Sequence, residues 1–370
     1  MIGRVRVFGP AYLDRVLRVD GPLLDGSPTS PLDRSVDGRI GFGEADAGRL
    51  TLVDPSDARL AIDLPADWPG PWGVIDLQGP LGAPSGTRIE RRAQAWADDL
   101  GGMGAGFAAA LGGELTCALG PQEDPTSRAV VGLLARHGVD VRPIRKDGPA
   151  DWTLLVSSGA HGDKLAIGFR GCHAALAIED VRPKLDEPCE VRIVAGLPNR
   201  IATEIFRAPG ACLRVFAPAM RNMTDRETPA RQVVAPVDLL CCNREEWEAL
   251  DDREEVAARL SILVVTEGAA GAWARFTDPV GDGRTVRVGA FPRSRPPRDV
   301  NRAGEAFASR FVAEMLGGGW RPASCVAEVE LVRAAMLRAS TAAALVLDRE
   351  DFGFPSADEV EAAAARGVVD

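Results

Sequence analysis

From residue 101 onward, apolar segments of strand character alternate with segments of helical periodicity. This alternation limits the possible folds more than any other feature. The strand-like segments read ELTCALG, VDVRPI, EVRIVAG, CLRVFAP, VDLLCCN and SILVVTEG, with helix-like segments such as SRAVVGLLARHG between them. Such strands are joined by right-handed crossovers, so that the sheet becomes mainly parallel and helices cover both faces. The sequence therefore predicts an α/β domain whose ligands bind beyond the carboxyl ends of the strands.

Residues 21–90 have a different character. They are rich in Pro, Gly and Asp and contain the alternating segments RLTLVD, RLAIDL and WGVIDLQ, which are typical of hairpin strands. We therefore predict that residues 1–20 and 91–370 form the α/β domain and that residues 21–90 form a small, extended β-rich lid or insertion. Trp68 and Trp72 are candidate apolar anchors for a homodimer interface through this lid. A self-contained surface hairpin is the alternative.

The charge and residue composition narrow the function classes. The net charge is −10, and the dispersed basic residues form no stripe that follows a nucleic-acid backbone. No apolar run is long enough to span a bilayer, and the N-terminus lacks a secretory signal, so we expect a cytoplasmic protein without a membrane partner. An acidic chain still binds a nucleotide where the positive potential is local, as at a helix N-terminus or a placed arginine.

Metal and disulfide chemistry find little support in the sequence. The seven cysteines include no CxxC pair, which argues against a disulfide framework or a zinc knuckle. The three histidines, His137, His161 and His173, are far apart in the chain. This spacing argues against a histidine-rich metal site and against a histidine-centred triad.

The segment DDLGGMGAGFAAALGG places Gly101, Gly102, Gly104 and Gly106 before an alanine-rich helix. It invites comparison with the dinucleotide fingerprint, but Phe107 stands at the position of the third glycine. Polar residues also precede the loop where that fingerprint needs a buried strand. A nicotinamide-dependent oxidoreductase is therefore disfavoured. Close backbone packing at a helix entry and a loop that approaches a small ligand both remain open.

Two strand ends carry polar residues in recognisable patterns. In VDLLCCNREEWEAL, Asn243 follows an apolar strand and Glu246 comes three residues later in the first turn of a helix. An ordinary N-cap with a capping box has this pattern too. In LVVTEGAAGAW, an apolar strand ends at Thr266, and Gly268 opens a tight turn. A β-hairpin explains that turn equally well.

The segment PRDVNRAGEAFASRF, residues 297–311, is a candidate anion site at the start of a long helix. Ala303 and Gly304 would supply backbone N–H groups there, and Glu305 lies in the first turn. The structural alternative is that Glu305 has no catalytic role, since the helix dipole is sufficient to stabilise a carboxylate in the first turn. The functional alternative is that the N–H groups hold a phosphoryl group while Glu305 accepts a proton from the attacking hydroxyl.

In their order along the chain, these segments resemble the ribokinase-like carbohydrate kinases, also called the phosphofructokinase B type. That family has a sugar-binding aspartate, then GGxGAN, a GVD-type strand, a PGAN-like segment, NxxE, TxG, and DTxGAGD at the start of a long helix. This chain has AYLDRVLRVD, GGMGAGFAAALGG, LLARHGVDV, FRGCHAALAIEDV, VDLLCCNREEWEAL, LVVTEGAAGAW and DVNRAGEAFASRF. The resemblance covers essentially the whole chain apart from residues 21–90. It implies transfer of the γ-phosphoryl group of ATP, with Mg²⁺, to a hydroxyl of a sugar or related small alcohol.

The resemblance also implies a role for each matched residue. The residues that would bind the sugar are Asp14, Gly102, Gly104 and Gly106. The residues that would order the nucleotide and Mg²⁺ are Asn243, Glu246, Thr266 and Gly268, with Glu246 acting on the metal through water. The residues at the transferred group are Arg302, Ala303, Gly304 and Glu305, with Ala303 and Gly304 as the anion hole and Glu305 as the catalytic base.

Three positions depart from the family pattern. The base is aspartate in the family, and Glu305 is one methylene longer; a misplacement of about 1 Å lowers a rate roughly a hundredfold. Gly106 stands where GGxGAN has asparagine, so a substrate-binding amide is missing. Arg302, the third residue after Asp299, replaces a small residue and either clamps a phosphate or fills the site.

Two hypotheses follow from these departures. The first is a kinase with a repositioned base, which the NxxE motif and the proton chemistry of glutamate favour. The second is a catalytically silent sugar- or nucleotide-binding protein on the kinase scaffold.

Overall fold

The structure is a computed structural model that describes residues 3–24, 33–41, 48–158, 163–210, 212–295, 302–321, 326–349 and 351–369. Its strands are β1 Val5–Phe8, β2 Tyr12–Val19, β3 Asp33–Gly41, β4 Arg49–Val53, β5 Arg59–Asp63, β6 Gly73–Leu77, β7 Arg88–Gly101, β8 Glu114–Leu119, β9 Asp140–Arg145, β10 Trp152–Ser158, β11 Asp163–Phe169, β12 Val191–Ala195, β13 Leu213–Ala217, β14 Leu239–Asn243, β15 Ile262–Thr266, β16 Ala272–Thr277 and β17 Gly283–Val288. Its α-helices are α1 Met103–Leu111, α2 Pro125–Arg136, α3 Ile178–Val181, α4 Asn199–Arg207, α5 Met220–Met223, α6 Ala230–Val234, α7 Arg244–Glu248, α8 Arg253–Arg259, α9 Ala303–Gly317, α10 Val329–Val346 and α11 Ala357–Arg366.

The main sheet has nine strands in the order β17-β16-β15-β14-β13-β12-β1-β8-β9. The seven strands from β15 to β9 are parallel, and β16 and β17 add an antiparallel edge. This order confirms the predicted α/β fold with a mainly parallel central sheet. The carboxyl ends of the central strands lie at one edge of the sheet, where the ligand site was expected.

The strands of the main sheet are buried on both faces. In β1, Val7 belongs to an apolar core that includes residues of α1, α2, α9 and α10. The next residue, Phe8, belongs to a second core with residues of α4, α6 and α8. Successive side chains of a strand point to opposite faces, so the two cores lie on the two sides of the sheet. A central strand of this kind consists of a continuous apolar run, which explains why the sequence identifies these strands well.

The second unit is a closed barrel of eight strands in the order β10-β11-β3-β6-β4-β5-β7-β2. It has its own apolar core and extends beyond the predicted segment 21–90, because β2, β7, β10 and β11 also belong to it. Strand β7, RIERRAQAWADDLG, carries many charged residues, and most of its positions are exposed or half-buried. Because its outer face is polar, this segment lacks the apolar run by which the strands of the main sheet are predicted. That the barrel acts as a lid is a proposal taken up below.

The two tryptophans predicted as interface anchors have different environments. Trp68 is a core residue of the barrel, 7% exposed, and its ring meets that of Trp96 edge to face at 5.8 Å. Its indole N–H donates to the carbonyl of Pro71 at 2.6 Å. The prediction that Trp68 is available to a partner is therefore wrong. The closure of the barrel buries its side chain. Trp72 is 46% exposed, and a homodimer through this unit stays a prediction.

In the described ranges, no helix is both long and apolar enough to cross a membrane. The cysteines of those ranges are all free thiols. Among them, Cys241 and Cys242 are buried at the end of β14.

Candidate active site

A cleft of about 720 Å³ lies at the carboxyl ends of β14 and β15, against the start of α9. It is lined by seven of the residues selected from the sequence, namely Asn243, Glu246, Thr266, Gly268, Arg302, Gly304 and Glu305. These residues come from three segments that are far apart in the chain. Parallel strands bring them together, because their carboxyl ends meet at one edge of the sheet.

Helix α9 begins at Ala303, with Arg302 as its N-cap. The first backbone N–H groups of any helix have no acceptor within that helix. Gly304 is exposed at this place, and nothing lies within 4 Å of the Cβ position of Gly304. The helix therefore presents N–H groups and its positive dipole end to the cleft. Asp299, which precedes this segment, lies outside the described residues.

Arg302 has φ 67° and ψ −2°, the left-handed conformation that glycine adopts at least cost. This explains why the family motif has glycine at this position. The Arg302 guanidinium donates to Asp99 Oδ2 at 3.1 Å and lies 5.6 Å from the ring centre of Phe352. It is 10% exposed and paired with the barrel strand β7. Arg302 thus lines the cleft while its charge is partly neutralised by Asp99.

Glu305 is half-buried in the first turn of α9 and packs against α1. A Cβ atom on Gly106 would lie 3.4 Å from both the Cβ atom of Glu305 and the ring of Phe354. Burial raises the pKa of the Glu305 carboxyl, although the positive charges of Arg302 and Lys164 act in the opposite direction. A carboxylate of raised pKa is a stronger proton acceptor, as a general base requires.

Asn243 and Glu246 form a reciprocal cap at the start of α7. The Asn243 Oδ1 atom accepts from the Glu246 amide at 2.8 Å, and Glu246 Oε2 accepts from the Asn243 amide at 2.9 Å. The capping box is therefore present, and both side chains also line the cleft. Burial raises the pKa of Glu246 to about 7, and the nearby charge of Glu305 adds to the effect. Two carboxyl groups that disfavour each other's charge create a place that suits a cation.

The turn after β15 is a β-hairpin, as one alternative predicted. Thr266 ends the strand opposite Ala272 of β16, and Gly268 has φ 57°. The residue between them, Glu267, was not selected from the sequence. Its carboxylate accepts from Arg244 at 2.7 Å, and Arg287 adds a longer bond at 3.3 Å. These ion pairs fix the wall of the cleft on the side of β15.

The glycines at the start of α1 are packed closely against the backbone of residues 9 and 10. Gly102 has φ 100°, and a Cβ atom there would lie 2.4 Å from the carbonyl oxygen of Pro10. A Cβ atom on Gly104 would lie 2.5 Å from the carbonyl carbon of Gly9. The first alternative, close packing at a helix entry, therefore accounts for both glycines. Contact of Gly102 and Gly104 with a substrate stays a prediction.

Asp14 lies on β2, and its carboxylate covers Gly101: a Cβ atom on Gly101 would lie 2.5 Å from Asp14 Oδ1. Tyr12 lies two residues before Asp14 on the same strand and was not predicted as a site residue. Burial raises the pKa of the Tyr12 phenol, and the negative charges of Asp14 and Glu305 raise it further. Tyr12 therefore lies in the field of both the predicted sugar aspartate and the predicted base.

The donor set of the cleft fits a magnesium ion that is held mainly by water and phosphate oxygens. In the part of the chain that the structure describes, no three His, Cys, Asp or Glu side chains form a metal-binding group. Mg²⁺ usually keeps several waters and takes one or two carboxylates, with substrate phosphates completing the shell. Glu246, with Glu305 nearby, supplies the carboxylate character that such a site needs.

Comparison with known proteins places these features in a family. The model of the pfkB family of carbohydrate kinases matches residues 80–358. Curated proteins gave no match to this sequence. Among solved structures, the ribokinase of Giardia lamblia superposes with a TM-score of 0.67 at 15% identity, over 98% of this chain and 99% of that one.

Two further structures are similar in fold. The nucleoside kinase of Methanocaldococcus jannaschii superposes with a TM-score of 0.62 at 12% identity, and the match covers 99% of this chain and 100% of the kinase chain. The ribokinase of Arabidopsis thaliana, solved with ribose and ATP, has a TM-score of 0.56 at 14% identity, with 98% of both chains covered. At these identities the similarity establishes the fold alone.

Proposed function

Because the chain belongs to the pfkB family of carbohydrate kinases, we propose that it transfers the γ-phosphoryl group of ATP to a hydroxyl group of a sugar or related small alcohol. The observation that carries this proposal is the position of Glu305. Its carboxyl group lines the same cleft as Glu246 and the first amides of α9. A proton acceptor, a cation-binding carboxylate and an anion-binding helix end are the groups that phosphoryl transfer to an alcohol requires.

Proton transfer is the task of Glu305. The acceptor hydroxyl loses its proton to the Glu305 carboxylate as its oxygen attacks the γ-phosphorus, and ADP leaves with the electron pair of the bond between the γ-phosphorus and the bridging oxygen. The raised pKa makes this carboxylate a better base than an exposed glutamate. The positive charges of Arg302 and Lys164 lower the pKa of Glu305 and so favour its ionised form.

The start of α9 stabilises the charge that develops during transfer. The amides at Ala303 and Gly304 donate to phosphoryl oxygens, and the helix dipole adds to their effect. The open space around Gly304 lets a phosphoryl group approach the backbone. The cap of α7 orients Glu246 toward the same region through its bond to the Asn243 amide.

The nucleotide would lie along the end of β15. Thr266 and Gly268 line that side of the cleft, and the left-handed conformation of Gly268 turns the chain away there. Bound Mg²⁺ neutralises charge on the phosphates, and Glu246 is the residue that would order its water shell. Ionisation of Glu246 is favoured when a cation is near, which offsets the effect of burial.

The barrel is proposed to act as the lid over the acceptor. It carries Tyr12 and Asp14 on β2, and the Arg302–Asp99 ion pair joins β7 to the cleft. Strand β11 contributes the charge of Lys164 near Glu305. Closing a barrel over the acceptor would exclude water, which otherwise competes as the attacking group.

The first experiment measures ADP release from Mg·ATP with pooled aldoses, sugar acids and nucleosides. It compares wild type with Glu305→Gln. We expect turnover in wild type and a loss of about a hundredfold to ten-thousandfold in the variant, because a general base has been removed. The matched control is Glu330→Gln, since Glu330 also lies in the first turn of a helix but is 86% exposed.

The outcomes separate the two hypotheses. Turnover that Glu305→Gln abolishes and Glu330→Gln leaves unchanged supports the kinase. A folded protein that binds ATP or a sugar but turns over no pool contradicts it and points to the catalytically silent binding protein. Equal turnover in wild type and Glu305→Gln would also contradict the assignment of the base.

A further inference from the structure

Three basic side chains lie near the cleft on the side of Tyr12, and the family resemblance assigns a role to none of them. They are Arg170, which follows β11, His173 in the turn after it, and Arg221 in α5. Together they are called the basic cluster. Two of the three come from the segment FRGCHAALAIEDV, which resembles the PGAN-like segment of the family. The chain has a net charge of −10, so a local group of positive side chains next to a ligand cleft indicates a place that attracts an anion.

The basic cluster lies at the carboxyl ends of the central strands. Ala217 and Pro218 line the cleft, and Arg221 comes three residues after Pro218. The Arg221 guanidinium donates to the carbonyl of Gly196, just beyond the end of β12. A Cβ atom on Gly196 would lie 3.2 Å from the sulfur of Met103, which also lines the cleft. Arg221 is therefore next to the glycine loop on the acceptor side.

The charge of Arg221 is not balanced by a carboxylate in contact with it. Its hydrogen-bond acceptor is a neutral carbonyl, and in the described residues it forms no ion pair within 4 Å. Partial burial lowers the pKa of Arg221 and the positive charge of Arg170 lowers it further, while the charges of Asp151 and Asp37 raise it. Both arginines are exposed, so water weakens their repulsion and leaves both guanidinium groups accessible to an anion.

Two carboxylates lie near the basic cluster, and one of them pairs with a member of it. Asp37 accepts from Arg170 at 3.0 Å, and both side chains of that pair are 51% exposed, so solvent weakens it. Asp151 accepts from the backbone amides of Gly171 and His173, at 3.0 and 3.1 Å. The Asp151 carboxylate therefore makes its hydrogen bonds to the turn, and it acts on the pKa values of Arg221 and His173 through its charge alone.

His173 adds an unsatisfied polar atom to the cluster. Its side chain is 9% exposed, and the buried Nε2 atom has no hydrogen-bond partner in the part of the chain described. A buried polar atom without a partner costs free energy, unless a ligand or a water molecule supplies the partner. Arg170 and Arg221 both act on this imidazole electrostatically, so the three side chains share one neighbourhood.

Tyr12 connects the cluster to the reacting groups. Arg170 and Arg221 lower the pKa of its phenol, while burial and the charges of Asp14 and Glu305 raise it. The phenol thus lies in the fields of the arginines and of the proposed base at once. A sugar-sized molecule bound beside Tyr12 would reach both.

We propose that Arg221, Arg170 and His173 form a subsite for an anionic group on the acceptor, so that the substrate is a sugar acid or a sugar phosphate rather than a neutral sugar. This inference rests on the proposed kinase function, because only a kinase uses the bound molecule as a phosphoryl acceptor. The shared chemistry is a carboxylate or phosphate at the end of the molecule remote from the reacting hydroxyl. Arginine suits it, because its planar guanidinium binds such groups through two parallel hydrogen bonds.

The test compares three acceptor pools of equal carbon number: five- and six-carbon aldoses, the corresponding aldonates, and the aldose monophosphates. ADP release from Mg·ATP gives kcat/KM for each pool, and calorimetry gives acceptor binding without nucleotide. The proteins are wild type, Arg221→Gln, Arg221→Lys and the control Arg366→Gln. Arg366 is an exposed residue in the last turn of α11.

We expect wild type to prefer one anionic pool to the aldoses. Arg221→Gln should lower kcat/KM and affinity for that pool about 10- to 100-fold, as the loss of a charged hydrogen bond predicts. It should change the aldose pool less than about threefold, and Arg221→Lys should retain part of the preference. Aldonates and monophosphates distinguish a carboxylate from a phosphate.

Several results would overturn the subsite while leaving the kinase intact. These are a preference for the aldose pool, or an equal loss for all pools in Arg221→Gln. If no pool gives ADP, the proposed function fails, and calorimetry then decides the subsite alone: anion binding that Arg221→Gln abolishes supports it, and absent binding refutes it. Should Arg221→Gln fail to fold, Arg170→Gln replaces it, because that side chain is half exposed.

Discussion

The Cγ atom of Glu305 lies 3.1 Å from the position that a Cβ atom on Gly106 would take. The two departures from the family pattern are therefore in contact with each other. A longer base occupies the space that the missing asparagine side chain leaves. Glu305 and Gly106 are best understood as one change of shape in the site, made from two residues.

This contact predicts that the two positions are coupled. Gly106→Asn alone should lower kcat/KM roughly tenfold or more, because its side chain meets the stem of Glu305. Gly106→Asn combined with Glu305→Asp should be more active than the product of the single effects, with an interaction of about 1 kcal/mol or more. A double-mutant cycle on kcat/KM measures it. Gly132→Asn is the control, since Gly132 is a helix residue with nothing within 4 Å of its Cβ position.

The raised pKa of Glu246 predicts a conflict between stability and function. The unfolded chain ionises this group near 4.5, and the folded protein ionises it near 7. Between those values the folded state holds an extra proton. The stability that this proton contributes is complete below pH 4.5 and is lost as the pH rises through 7.

Glu246→Gln should therefore stabilise the unliganded protein at pH 8, by on the order of 1–3 kcal/mol, and have less effect at pH 5. It should weaken Mg·ATP binding at the same time. Urea unfolding at both pH values measures the first effect, and calorimetry measures the second. Glu245→Gln is the control, because Glu245 is an exposed neighbour on the same helix. Equal stabilisation at pH 5 and pH 8 would contradict the shifted pKa.

The left-handed conformation of Arg302 predicts an order of stability among its variants. Glycine and alanine both lose the bond to Asp99 and the contact with Phe352, but only alanine meets steric conflict at φ 67°. Arg302→Gly should therefore be about 1 kcal/mol more stable than Arg302→Ala. Chemical denaturation of the two variants measures the difference. An equal loss in both would show that α9 begins with another backbone conformation.

The barrel core predicts unequal effects of two nearby tryptophans. Trp68→Ala should destabilise the protein by about 3–5 kcal/mol, because it opens a cavity next to Trp96. Trp72→Ala should change the stability by less than about 1 kcal/mol, since the side chain is 46% exposed. Urea unfolding of both variants gives the comparison. A large effect of Trp72→Ala at low protein concentration would indicate a buried role that the fold does not show.

Patterns that are local in sequence predicted much of the fold and part of the site. The central strands are buried on both faces and therefore appear as apolar runs. The cap formed by Asn243 and Glu246, and the first turn that carries Glu305, each fit within a few residues. Their spacing alone was enough to select them.

The features that escaped prediction depend on contacts between distant segments. Strand β7 is polar on its outer face, so its membership in the barrel is visible only once β2 and β5 pair with it. Arg170 and Arg221 come from two segments that no short motif joins. The backbone contact at Gly102 depends on Pro10, which lies in another part of the chain. Tertiary packing decides each of these.

The closed barrel also determines how two copies of this chain can meet. Its strands pair in a ring, but two of them change partners along their length. Strand β3 pairs with β11 through residues 33–37 and with β6 through residues 38–41, and β7 pairs with β5 through residues 88–92 and with β2 through residues 93–101. Within the described residues, strand pairing on one side only makes 33–37 and 93–101 edges to which another chain can add a strand. A second copy that approached the ring elsewhere would meet side chains such as Trp72. Assembly there would then depend on surface shape and chemistry, and a point substitution could prevent it without disturbing the fold.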